Sequence, residues 1–250
     1  MNLTYDQYVE TFLQKLQPQF LSYDYYGTNK AFPNVSDGYL EQLYINSKFA
    51  HQYKVPLWPF IQACEYGGST RVPNDVDIYW QVNVSLAYGA KAIQYFCYFQ
   101  PIEFSAVGYE GSFIDKNGNR TAIYYAGQNI NKQIARMDHI LMNSTLMCQM
   151  AFNNSPCKIE QDNLVTEFRE IKSVTTNDDL LVGCFDYCGK SVFYFVNNNL
   201  TENCSATINF TDYVEAGLYY MKTDDLFQGE SLEISLEPGQ GVLVEITNYK

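Results

Sequence analysis

Three stretches decide the fold: Phe20-Leu21-Ser22-Tyr23-Asp24-Tyr25-Tyr26, Val55-Pro56-Leu57-Trp58-Pro59-Phe60-Ile61-Gln62 and Lys91-Ala92-Ile93-Gln94-Tyr95-Phe96-Cys97-Tyr98-Phe99. Each is a short apolar and aromatic run, and each gap between them holds apolar residues at helical spacing. Strand–helix–strand–helix–strand at this spacing predicts parallel strands, because a parallel return needs a crossover of a dozen residues or more. Sequential order is expected, with Val55–Gln62 between the other two and crossovers right-handed. Ligand sites in such sheets lie beyond the C-terminal ends of the strands. Those ends carry Asp24, Tyr25 and Tyr26, then Gln62 and Glu65, then Tyr98, Gln100 and Glu103. Flat aromatic faces beside hydrogen-bonding tips are what a sugar ring requires.

The helices between the strands follow from caps and periodicity. Thr4 and Gln7 form a capping-box pattern, after which Tyr5, Tyr8, Val9, Phe12 and Leu16 share one face until Pro18. Ser36 or Asp37 opens a second helix that buries Leu40, Leu43, Tyr44, Ser47 and Ala50. Asn74 or Asp75 opens a third with Val76, Tyr79, Trp80, Leu86, Ala87 and Ala90 inward. Thr121 starts a long fourth helix with Ile123, Ala126, Ile130, Ile134, Met137 and Leu141 in phase. Pro56 and Pro59 are awkward inside a strand, since each removes a ladder donor. They are tolerable near a strand's start or at a bulge.

Beyond about residue 145 the period changes to that of short strands with polar turns: Leu180–Phe185, Ser191–Val196, Ala206–Phe210, Gly217–Met221, Ser231–Leu236 and Gly241–Ile246. Strands without helices predict an antiparallel sandwich. The expected class is therefore α/β followed by all-β, divided into residues 1–144 and 145–250. The second part is expected to bury the flank of the first and to have no catalytic role.

Composition narrows the function. The 250 residues carry 28 acidic against 16 basic side chains, a net charge of −12, which argues against nucleic acid as a partner. Neutral substrates fit better than polyanions. The seven cysteines form no CxxC pair and only two histidines exist, so neither a structural metal nor a cofactor is expected. The odd cysteine count favours reduced thiols. No 18-residue apolar run or leader pattern is present, which predicts a cytoplasmic protein without a membrane partner. The sequons at Asn83, Asn199 and Asn209 reflect a high asparagine content and carry no expectation of glycosylation.

Several longer stretches bear a family likeness. Leu21–Tyr26, Pro56–Gln62 and Trp80–Lys91 resemble late barrel segments of bacterial (β/α)8 glycoside hydrolases related to the β-galactosidases, and Ala87–Phe96 is the most specific piece. Phe113–Thr121 resembles the link into that family's last barrel helix, and Leu236–Ile246 is similar to the closing strand of its C-terminal sandwich. The resemblance implies a partial (β/α)8 barrel, with the three strands as barrel strands six to eight. It also implies that the general acid/base of strand four is missing. Glu65 would then stand near the nucleophile of strand seven, with an ordinary loop acid as the competing reading. Asp24, Tyr25, Tyr26, Trp58, Gln62, Tyr98 and Glu103 would contact an oligosaccharide or glycoside; Glu110 is a weaker candidate.

Three functions follow as expectations. One is the C-terminal portion of an enzyme hydrolysing O-glycosidic bonds, poorly active alone. The second is a non-catalytic carbohydrate-binding or assembly module, and the third a split enzyme. Exposed sheet edges predict a homo-oligomer or a missing N-terminal half of the barrel.

Overall fold

A computed structural model describes residues 3–101, 108–153 and 165–249. Glu103, one of the candidate ligand contacts, lies outside the described residues.

The first part alternates helices and strands: α1 (Tyr5–Leu16), β1 (Leu21–Tyr23), α2 (Gly38–Gln52), β2 (Leu57–Gln62), α3 (Asp75–Ala87), β3 (Gln94–Phe96) and α4 (Ala122–Asn143). The three strands form a parallel sheet in the order β1-β2-β3, the sequential order expected. The strands pair Leu21 with Leu57 and Gln62 with Phe96. Pro59 is tolerated because β3 pairs with β2 only from Phe60 onward.

Local signals set the helix ends. The Thr4 N–H donates to Gln7 Oε1 at 3.2 Å, and Asn74 Oδ1 accepts from the Asp77 N–H at 2.9 Å. The face of α1 differs from expectation: Val9 and Leu13 are its buried residues, while Tyr8 and Leu16 are exposed. Only the stripe nearest α2 is covered, so residues at the margin of the helical phase stay in water. In α2 the expected Leu40, Leu43, Ser47 and Ala50 are all buried.

After Ser144 the chain becomes a curled antiparallel sheet of seven strands: β4 (Thr145–Phe152), β5 (Ile171–Thr176), β6 (Leu180–Tyr187), β7 (Lys190–Asn197), β8 (Cys204–Tyr219), β9 (Asp224–Leu236) and β10 (Gly241–Tyr249). It is one hydrogen-bonded sheet rather than two separate ones. A register shift between Asn209 and Val214 divides β8, whose first half pairs with β5 and second half with β10. The curl encloses a core in which Val182, Phe193, Phe195 and Val244 join Ile208, Phe210 and Ile234.

The outer face of this sheet packs on α3 and α4, where Leu181, Phe185, Tyr194 and Leu243 join the same apolar cluster as Val84, Ala87 and Ile130. Glycine is required at position 183, because a Cβ there would collide with the Ala87 carbonyl. Buried polar contacts fix the junction. Asn83 donates to Gly239 O at 2.9 Å and accepts from the Tyr194 hydroxyl at 2.7 Å, and the Trp80 indole donates to Asn198 Oδ1 at 2.8 Å. Asn83 is fully buried, so its sequon is closed in the folded chain.

Candidate functional site

Residues paired across parallel strands point to the same face, and faces alternate along each strand. Ile61 and Tyr95 are paired, and both pack into the core beside the helices. Ser22 with Trp58, Phe60 with Gln94, and Gln62 with Phe96 are therefore on the other face. There Gln94 Nε2 donates to Ser22 Oγ at 2.8 Å and to Trp58 O at 3.1 Å, linking all three strands.

At the C-terminal ends this face terminates in aromatic rings. Tyr26 stacks on Phe96 with centroids 5.3 Å apart and planes at 26°. Tyr66 lies 4.9 Å from Tyr26 and meets Tyr109 edge-on at 5.7 Å. Phe96 and Tyr109 are 6.3 Å apart. Burial, and after it the neighbouring Asp24 carboxylate, push the Tyr26 phenol upward, so it stays protonated.

The segment after β3 folds back over the segment after β2. Ser112 N–H donates to Ala63 O at 2.8 Å, Glu65 N–H to Glu110 O at 2.8 Å and Gly67 N–H to Gly108 O at 2.9 Å. This short antiparallel ladder sets Glu65 and Tyr109 beside one another's strands. Gly108 has φ +76°, and a Cβ there would lie 3.0 Å from Glu65 Oε1 and closer still to Gly68 N. The carboxylate therefore rests against bare backbone, half-buried.

The other candidates take different places. Asp24 is exposed at the rim, and Tyr98 is 59% exposed, edge-on to Phe113 at 6.1 Å. Tyr25 turns toward the start of α2, where its hydroxyl meets Ser36 Oγ at 2.6 Å. Gln62 is fully buried, and its amide is consumed by loop atoms. Its Nε2 donates to Cys64 O at 2.9 Å and Thr70 Oγ1 at 2.8 Å, while its Oε1 accepts from the Thr28 N–H at 3.2 Å. Gln62 anchors loops and presents nothing to a ligand. Trp58 is also misplaced as a rim residue: it is the second residue of β2, stacked on Phe20 at 4.0 Å and 13°. Four residues at roughly 3.3 Å each separate it from the rim end of that strand. Gln100 is buried, accepting from the Lys116 N–H at 3.1 Å, and Glu110 is exposed.

Sequence reasoning did not single out Tyr66, Phe96 and Tyr109 as ligand-facing. Phe96 ends β3, whereas the sequence run continues to Phe99 and hides that end. Tyr66 and Tyr109 meet only through the ladder between two loops, which leaves no periodic trace. A cavity of about 540 Å³ lies at the opposite ends of the strands beside Leu57, Lys91 and Leu146, away from these carboxylates. Among the described residues no group of three or more His, Cys, Asp or Glu could hold a metal, and no helix is long and apolar enough to cross a membrane.

No protein-family profile matches the sequence, and no curated protein matches it. Solved structures of similar arrangement include glycoside hydrolases. They include a GH27 β-L-arabinopyranosidase from Geobacillus stearothermophilus in complex with arabinose (15% identity, TM-score 0.45, 85% of this chain and 42% of that one). A GH51 arabinofuranosidase from Xanthomonas axonopodis pv. citri shares 9% identity at TM-score 0.44, over 97% of this chain and 56% of that one. A GH30 endoxylanase from Clostridium papyrosolvens C71 shares 12% at TM-score 0.41, over 92% and 49%. The chain thus spans about half the length of these structures, and at such scores the likeness assigns no reaction.

Proposed function

We propose that the C-terminal ends of β1, β2 and β3 form a carbohydrate-binding rim, and that the chain is the C-terminal portion of a glycoside hydrolase-like protein. Residues 1–144 are read as the last three strand–helix units of a (β/α)8 barrel. Residues 145–250 are read as a second, non-catalytic unit that covers α3 and α4. The observation that carries the reading is the aromatic cluster of Tyr26, Tyr66, Phe96 and Tyr109, with Asp24 two residues before Tyr26 and Glu65 immediately before Tyr66. Aromatic faces stack on the C–H surfaces of a sugar ring, while carboxylates accept its hydroxyls.

Hydrolysis asks for more. Retaining and inverting glycosidases both place two carboxyl groups across the scissile bond, about 5–5.5 Å or roughly 6.5–9.5 Å apart. In this reading Glu65 is the nucleophile-like member and its acid/base partner is not supplied by this chain. Binding without efficient turnover is the expected behaviour. A non-catalytic carbohydrate-binding module is the second reading, favoured by the exposed position of Asp24 and the resting of Glu65 against Gly108 backbone.

The test is an amide NMR titration with a panel of neutral mono- and oligosaccharides. Shifts centred on Tyr26, Tyr66, Phe96 and Tyr109 are expected at millimolar sugar. Saturation with no change at any of the four would remove the rim as a sugar site.

A further inference from the structure

We propose that Cys64 and Cys97 form a reversible thiol–disulfide site, closed by peroxide, that ties the end of β2 to the end of β3. The two sulfurs are 3.9 Å apart. Their positions follow from the sheet: Gln62 pairs with Phe96, and the Ala63 N–H donates to Phe96 O at 2.7 Å, so the two chains leave adjacent strands side by side. Backbone bonds hold both segments, since Ser112 N–H donates to Ala63 O and Ile114 N–H to Tyr98 O. A disulfide needs sulfurs at about 2.05 Å. The remaining approach of under about 2 Å is within the reach of side-chain rotation.

The two thiols are unequal. Cys97 is half-exposed, with Sγ 3.4 Å from Ser112 Oγ and 3.2 Å from Phe99 O, whereas Cys64 is fully buried. The contact with Cys64 lowers Cys97 to about 6, and the same contact, with burial, pushes Cys64 up. The accessible sulfur is the one whose titration is lowered, the arrangement of an attacking and a resolving cysteine.

The chemistry balances with a hydroperoxide as oxidant. Cys97 thiolate attacks one peroxide oxygen; the S–O bond forms, the O–O bond breaks, and the departing hydroxide takes up a proton to become water. The Cys64 sulfur then attacks the sulfenic sulfur; the S–S bond forms, the S–O bond breaks, and hydroxide leaves with the Cys64 proton as a second water. Two thiols lose two electrons, and the peroxide oxygens gain them. A dithiol reductant reverses the step. The bridge would join the residue before Glu65 to the residue after Phe96, and it stands on sulfur geometry without resting on the sugar reading.

The experiment oxidises the reduced full chain with stoichiometric hydrogen peroxide, blocks free thiols with N-ethylmaleimide and maps peptides without reduction. A Cys64–Cys97 linked peptide is expected, with loss of two alkylation tags and their recovery after dithiothreitol. Cys64→Ser is expected to leave a Cys97 sulfenic acid that dimedone traps. The alkylation rate of Cys97 by iodoacetamide should reach half its maximum near pH 6. A bridge only between Cys148 and Cys184, which face one another across β4 and β6, would overturn the proposal. So would full alkylation of Cys64 and Cys97 after oxidation. The wild-type map decides without any variant having to fold.

Discussion

Tyr26 stacks on Phe96 at 5.3 Å, so the loop after β1 touches the end of β3 across the strand that separates them. The contact depends on β2 ending in Gln62, whose amide is turned into its own loop and leaves the space above it to the two rings. Rings brought together over a central strand form a floor whose shape is set by the sheet and not by one loop alone.

Removing a ring from that floor should weaken sugar binding more than it weakens the fold. Tyr26→Ala is expected to reduce affinity at least tenfold, while an aromatic pair contributes only about 0.5–1.5 kcal/mol to stability beyond its buried area. Tyr26→Phe keeps the stack and loses the hydroxyl beside Asp24, so an intermediate loss is expected. Calorimetric titration of both variants against the best sugar ligand checks the order.

Turnover is expected to be absent or slow. General acid help is typically worth 10²–10⁴-fold, and in the proposed reading the chain supplies only Glu65 of the pair. An aryl glycoside with a good leaving group needs least protonation and is the most sensitive probe. Robust hydrolysis abolished by Glu65→Gln would show that the pair is complete and would promote Glu65 to a catalytic role.

The junction between helices and curled sheet should be fragile at Asn83. Asn83→Ala leaves the Tyr194 hydroxyl and the Gly239 carbonyl without the partner each now has, both in a buried setting. Each stranded group costs about 1–3 kcal/mol. Chemical denaturation should show a lowered midpoint, and the double variant with Tyr194→Phe should recover part of the loss, since the stranded donor is gone.

Lys91 gives the stability a pH slope. Its ammonium donates to the carbonyls of Leu141 and Ser144 at the end of α4, yet burial lowers it to about 8. A lysine depressed in the folded state leaves the unfolded chain binding more protons between about pH 8 and its ordinary value near 10.4. Its contribution should therefore rise with pH across that window and be lost as pH falls through 8. Thiols and tyrosines titrate there too, so the difference between wild type and Lys91→Met in urea midpoints at pH 7.5 and pH 9.5 isolates it. An equal pH change in both proteins would exclude Lys91 as the source.

The order of the parallel strands was legible because each apolar run is long enough to name and each gap holds a capped helix. Asn74 announces α3, but burial from Ile78 to Ala87 runs nearly all round this helix, because the curled sheet covers the face the parallel strands leave, and helical phase alone does not show that. Trp58 stands apart from the rim for a reason visible in strand direction: a residue near a parallel strand's start is at the far end from its rim. Gln62 has the right position but the wrong fate, since partners contributed by residues 28, 64 and 70 cannot be counted from a single strand. The curl of the second sheet depends on the break inside β8, where the alternation of Ala206, Ile208 and Phe210 gives way before Val214. The ladder between 63–67 and 108–112 is a meeting of two loops, and no local pattern encodes it.

Association is the last expectation. Among the described residues, β1 and β3 each pair along their length with β2 alone, so one edge of each remains open. Leu21 and Ile61 are buried against the helices, whereas Phe60 and Phe96 belong to the other face. That face also carries Trp58 with its partner Phe20, and Tyr98 and Phe99 are exposed beyond β3. The β3 side is partly guarded, because Phe99 bridges to Ile114; the outer edge of β1 has no such cover among the described residues. An open edge beside an aromatic face invites pairing with another chain. A two-fold dimer that joins β1 edges is the simplest closed form. Light scattering at micromolar concentration should give twice the chain mass, and Ser22→Pro, which removes a backbone donor from β1, should shift the equilibrium toward monomer. A strictly monomeric protein at that concentration would mean that this edge is covered from within the chain.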